Sequence, residues 1–210
     1  VTTAITRRNL SYAAIAAQLV FIGGWLVGGA IEGHGYSAGR HDVSDLGALT
    51  AHHVPLALVT LLLSGLLTAA FALGALRPAF GAAGALVALS LVSLDNTSDA
   101  FFRLDCRAAD AGCSMSDAAS SWHGKVHIAV FALAALATVA APFLLARRMR
   151  TLDAWRDFAR KTQLFGVAFI VGLVLTAATA ETDIAGWTQR GLILFTCAGM
   201  CALAWKTAEG

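Results

Sequence analysis

The sequence predicts an all-α, polytopic membrane protein: one transmembrane domain over residues 1–210, a bundle of six transmembrane helices with both termini cytoplasmic. Three observations carry this. First, 58% of the 210 residues are hydrophobic and 13% are charged, with a mean hydropathy of +0.70. An average soluble domain is roughly 25% charged and about 45–50% apolar. So short a chain cannot hide that much apolar surface within itself, and lipid must cover the rest. Second, six stretches approach the roughly 20 apolar residues that a helix needs to cross the hydrocarbon core. Third, the connecting segments alternate between rich and poor in basic residues, the asymmetry that orients membrane helices.

The six spans are expected at about 12–31, 54–76, 80–102, 123–145, 163–180 and 188–205. The first follows Arg7 and Arg8, as a signal-peptide core would. Five more spans follow and no persuasive small-x-small site ends it, so it reads as a retained helix. The third, fifth and sixth are short if cut at their first charge. Continued past Asp95, Glu181 or Arg190, they place those charges near the membrane boundary.

With the N-terminus inside, the inner segments hold Arg7, Arg8, Arg77, Arg147, Arg148, Arg150, Arg156, Arg160, Lys161 and Lys206, ten of the fifteen basic residues. The run from Arg147 to Lys161 is the strongest signal and reads as a topology determinant beside anionic lipid. These features point to the cytoplasmic (inner) membrane of a bacterium. A net charge of +2, with no basic stripe outside that loop, excludes nucleic acid as the expected partner. Gly24 and Gly28 form a G-x-x-x-G patch in the first span, suited to close helix packing or to pairing of two copies.

The same assignment puts all six histidines and ten of the thirteen acids on the outer side, which points to a functional outer face. Cys106 and Cys113, seven residues apart in an outer loop, suit a disulfide staple in an oxidising exterior better than a metal or free-thiol role. Cys197 and Cys201, four apart in the last span, read as small packing residues.

Candidate site residues cluster where polar groups meet the membrane. Asp95, Asp99 and Arg103 are spaced by four and share one helix face. Carboxylates near hydrocarbon are costly, so this face should turn into the bundle and find partners. Arg103 is placed to neutralise Asp99. Asp95, one turn deeper, is a candidate proton donor or ligand anchor, the alternative being a buried ion pair that locks helices together. His123 and His127, at i and i+4, supply half a zinc site; a third ligand would come from His41, His52, His53, Asp95, Asp99 or Asp105. Histidines bonded to Asp or Ser without metal are the preferred reading, and zinc is the one cofactor candidate. Ser44, flanked by Asp42 and Asp45, is a possible nucleophile without a G-x-S-x-G elbow around it. The blander account has Asp42 and Asp45 capping a short interfacial helix. Arg190 can clamp an anionic head group or pair with Glu181 or Asp95, and Trp187 and Trp122 are aromatic candidates for holding substrate.

Three segments together resemble a known family. His41-Asp42-Val43-Ser44-Asp45-Leu46-Gly47 resembles the "h-p-i-S-d-l-g" signature of a bacterial six-helix family, domain of unknown function family 998. Asp105-Cys106 and Gly112-Cys113, then a Ser-rich stretch, Gly124 and His127, resemble its outer-loop pattern. Gly186-Trp187-Thr188-Gln189-Arg190 resembles its closing "G-l-x-q-R". Proline is missing after His41, and the segment between the cysteines is longer than the pattern. The resemblance implies the six-helix fold and marks Ser44, Asp45, Cys106, Cys113, His127 and Arg190; it implies no activity. A fainter similarity is to seven-helix ceramidase- and adiponectin-receptor-like hydrolases, which gather a Ser, an Asp and H-x-x-x-H around zinc.

The leading expectation is a membrane-embedded enzyme doing acid–base chemistry on a lipid or isoprenoid, cyclase-like without metal or hydrolase-like with zinc. A transporter or ligand sensor is the alternative, although no broken helix or inverted repeat is evident in the sequence. An accessory subunit is the third.

Overall fold

In the computed structural model, residues 2–33 and 35–209 are described, side chains from residue 6 onward; expectations for His34 lie outside this range. The chain is all-α, without strands among the described residues. Among the described residues five helices are long and apolar enough to cross a membrane: α1 (Thr2–Ile31), α2 (Val54–Phe71), α3 (Trp122–Met149), α4 (Arg156–Ala178) and α5 (Ala185–Glu209). α2 starts with a proline in its first turn, where a missing N–H costs nothing. It continues through a π-turn, Ala72–Leu76, to Phe80, where Gly81 at φ 63° stops it. α3 starts at Ser121, whose hydroxyl accepts the Gly124 N–H at 3.2 Å.

The stretch expected as a continuous third span is instead broken. Short turns at Ala82–Ala85 and Leu86–Leu89 end at Ser90, which is extended at ψ 168°; a π-turn (Leu91–Asp95) and a helical turn (Asn96–Asp99) follow. The break has a physical basis: the freed Leu91 N–H finds the Thr138 hydroxyl of α3 at 2.9 Å, so this donor stays satisfied. The segment still returns the full length of α2. The Leu49 N–H, just before α2, donates to the Leu104 carbonyl at 2.9 Å, so residue 104 is back at the end where α2 began.

α1 packs on α2 and α5, the broken segment lies between α2 and α3, and α4 packs on α3 and α5. Gly24 belongs to the first of these contacts: a Cβ there would collide with Thr60 of α2. Gly65 lets the backbones of α2 and the broken segment meet, since its Cβ would lie 2.7 Å from the Ser93 carbonyl oxygen. The core holds Phe21, Leu61, Phe71, Leu76, Phe80 and Met149. α4 is the least covered, with 17% of its apolar window buried against 39% for α1, so this helix leaves most of its surface to lipid.

Candidate functional site

The two loops at the end where α2 begins are stitched together by buried charge. Glu32, 1% exposed at the end of α1, accepts the His52 and His53 N–H groups at 2.8 and 3.2 Å. It also pairs with Arg107 Nη1 at 3.0 Å. Arg107 Nε reaches Asp110 at 2.8 Å, and the other Asp110 oxygen lies 2.9 Å from His41 Nε2. The Cys106–Cys113 disulfide expected from the sequence is formed and closes the loop that carries Arg107 and Asp110. Burial acts to raise the Asp110 carboxyl, but the Arg107 and His41 contacts outweigh it and hold it below the usual range.

Under that strap lies a cavity of about 300 Å³. Its walls are apolar side chains such as Phe21, Leu61, Phe131 and Leu192, and its polar lining includes Asp42, Ser44, Asp45, Asp95, Asn96, Asp99, His127 and Gln189. The expected i, i+4 acids and the α3 histidine therefore do meet. Asp99 Oδ1 stands 3.0 Å from His127 Nδ1, both side chains under 10% exposed. The same Nδ1 donates to the Phe102 carbonyl at 3.1 Å, and Asp99 Oδ1 is left at ion-pair distance without a hydrogen bond. Asp95 Oδ1 is also buried without a hydrogen-bond partner among the described residues. Asn96 donates to Ser64 at 3.1 Å, tying the segment to α2.

Asp45 accepts the Asp42 N–H at 3.1 Å and the Ala108 N–H at 2.9 Å, joining the first loop to the disulfide loop. The short helix expected here is a 3-10 turn, Ser44–Gly47, with no side-chain cap. Burial, with the charge of Asp45 beside it, pushes the Asp42 carboxyl up to about 6; burial likewise raises Asp45. Ser44 lines the cavity, but no acid or histidine bonds its hydroxyl among the described residues.

Other expected participants lie elsewhere. Arg103 does not neutralise Asp99; it donates to the Gly47 and Ala48 carbonyls at 2.6 and 2.8 Å, and His127 takes the expected role. Arg190, 2% exposed, donates to the Ala38, His41 and Gly186 carbonyls at 2.8, 2.6 and 3.0 Å and to the Tyr36 hydroxyl, over the Trp25 ring. It pairs with neither Glu181 nor Asp95 and does not line the cavity. Trp122 and Trp187 are exposed and do not line it, and the His123 ring lies tilted by 38° against Trp122 with centroids 3.8 Å apart. His41, His123 and His127 thus sit in three separate pairings. Among the described residues no group of three His, Cys, Asp or Glu gathers in metal-holding geometry.

Glu32, Arg107, Asp110 and Gln189 carry structure that the sequence reading missed. Glu32 ends an apolar span immediately before Gly33, and Arg107 and Asp110 lie inside the disulfide loop, which is the signal that could have found them. Gln189 Oε1 accepts the Val43 N–H at 2.7 Å, closing the cavity from α5.

The family described as "Protein of unknown function (DUF998)" matches residues 15–206. No curated protein and no solved structure shows significant similarity to the chain.

Proposed function

We propose that this chain, which belongs to the DUF998 family, takes up an elongated apolar molecule of the membrane, a lipid or isoprenoid, and performs acid–base chemistry on its polar end. The observation that carries this is the Asp95, Asp99 and His127 cluster at one side of a mostly apolar cavity. Ligand sites are typically clefts of roughly 300–1,000 Å³ with apolar walls and a few convergent polar groups. The buried Asp95 oxygen, without a hydrogen-bond partner among the described residues, calls for a donor, so the ligand's polar end carries a hydroxyl or an amine. His127, held by the Phe102 carbonyl beside Asp99, can relay the proton. The hydrolytic form of this reading needs zinc on histidines that do not converge, so the metal-free form is the one put forward.

The cluster belongs at the extracytoplasmic side. α3, 28 residues and about 42 Å long, leads from just past the disulfide loop into the basic run at Arg147–Lys161. A disulfide suits the oxidising side and basic residues suit the cytoplasm. With the returning broken segment counted, the chain crosses six times and both termini are cytoplasmic, in the inner membrane of a bacterium.

A second reading rests on the helix break at Ser90, close to Asp95. Broken spans with buried acids are the usual device of proton-coupled carriers. One experiment addresses both. Protein purified in mild detergent is extracted and its bound molecules identified by mass spectrometry, for wild type, Asp99→Asn and His127→Gln. The proposal expects a hydroxyl- or amine-bearing apolar molecule near one per chain, reduced about tenfold in either variant, the worth of one charge-assisted hydrogen bond. Equal retention in all three proteins sinks it. Conversion of the extracted molecule on re-addition distinguishes an enzyme; pH-driven flux into liposomes without conversion distinguishes a carrier.

A further inference from the structure

A second cavity, of about 330 Å³, lies on the other side of Val92 and Thr196, toward the basic end of the bundle. Its lining is apolar and follows helical spacing on each wall: Phe158, Thr162 and Phe165 from α4, and Phe195, Gly199 and Ala202 from α5. α3 contributes Pro142, which has no N–H to give the Thr138 carbonyl and so loosens that helix beside the cavity. Among the described residues one charged side chain, Lys161, lines it. Lys161 makes no ion pair or hydrogen bond among the described residues. Around it, residues 147–161 carry six basic side chains against Asp153 and Asp157. Asp153 is already taken by Arg156 at 2.7 Å.

We infer that this cavity seats one acyl chain of an anionic phospholipid of the bilayer, with Lys161 holding the phosphate at its mouth. The occupant follows from the two halves of the site. The apolar lane between α4 and its neighbours, on the helix with the least protein cover, takes a hydrocarbon chain. The unpaired ammonium, in a junction rich in positive charge, takes an anionic head group rather than a zwitterionic one. A lysine stem laid along apolar wall with its charge at the boundary is the usual geometry for such a contact. The site is separate from the Asp95–Asp99–His127 cavity, and its lipid is a resident of the fold rather than a substrate.

The test uses the full chain in nanodiscs of equal phosphatidylglycerol and phosphatidylcholine, with retained lipids counted by native mass spectrometry after partial delipidation. Wild type should keep one phosphatidylglycerol in preference to phosphatidylcholine. Lys161→Ala should reduce that preference about fivefold, the effect of one basic side chain near an anionic surface. Ala202→Phe, or Ala198→Phe one turn away, fills the lane and should remove the retained lipid of either kind. Equal retention of the two lipids by wild type, a preference that survives Lys161→Ala, or retention unchanged in both phenylalanine variants each overturns the inference.

Discussion

Removing Arg107 should loosen the loops over the cavity far more than a surface mutation would. Its guanidinium is 6% exposed and serves two acids, Glu32 at 3.0 Å and Asp110 at 2.8 Å. Breaking a buried pair by deleting one partner costs about 3–5 kcal/mol, because the other charge stays buried and uncompensated. The lower end applies here. Glu32 keeps two backbone N–H donors, and Asp110 is 25% exposed and keeps His41. Arg107→Ala should therefore cost about 3 kcal/mol of local opening free energy, which is about two orders of magnitude in the opening equilibrium. Hydrogen exchange reads this directly at the His52 and His53 amides, which bond Glu32, and at the Ala108 amide, which bonds Asp45. Pairing Arg107→Met with Glu32→Gln should recover much of the loss, since no lone charge is then left inside. If Arg107→Ala changes exchange at these amides by less than threefold, the buried network is not what holds the strap closed.

Two further outcomes follow from the same region. The Asp42 carboxyl lies at about 6 in the folded chain against an ordinary 3.8, so its contribution to stability is fully present below about pH 4 and is lost as pH rises through 6. Asp42→Asn should consequently stabilise the protein by about 3 kcal/mol at pH 7.5 and by little at pH 4, measured by thermal unfolding at both; an equal effect at the two pH values contradicts the assignment. Replacing both Cys106 and Cys113 with Ser should cost about 2–3 kcal/mol, the loop-closure value for so short a ring. Lost exchange protection should appear at the Ala108 and Leu49 amides and not in α4; a uniform loss across the helices points to a global role instead.

Much of this site was readable along the chain because its members are local neighbours. Asp95 and Asp99 share a face through helical spacing alone, and a buried carboxylate pair demands a partner wherever the helix goes. The disulfide followed from two cysteines in a short polar loop. The identity of the partner was not readable. Arg103 is the near and obvious cation, yet its guanidinium satisfies the Gly47 and Ala48 carbonyls, and His127 comes in from α3. Arg190 went the same way: three carbonyls and a tyrosine hydroxyl hold its Nη1 and Nη2 groups, and at 2% exposure the guanidinium is out of reach of a head group. The broken segment was missed because hydropathy averages over a window and is blind to one extended residue. Ser90 keeps the stretch apolar enough to read as helix, while Thr138, from another span, satisfies the donor that the break sets free.

The sequence by itself determined that helices cross lipid, roughly where they start and stop, which end carries the basic residues, and that titratable groups gather at the other. These depend on each residue's own transfer cost and on its nearest neighbours, quantities written along the chain. Only the tertiary structure decided the pairings: Glu32 with Arg107 across 75 positions, Val43 with Gln189 across 146, and His127 with Asp99. Such contacts depend on which donors remain unspent after the backbone has taken its share, and that accounting closes only when the helices have packed.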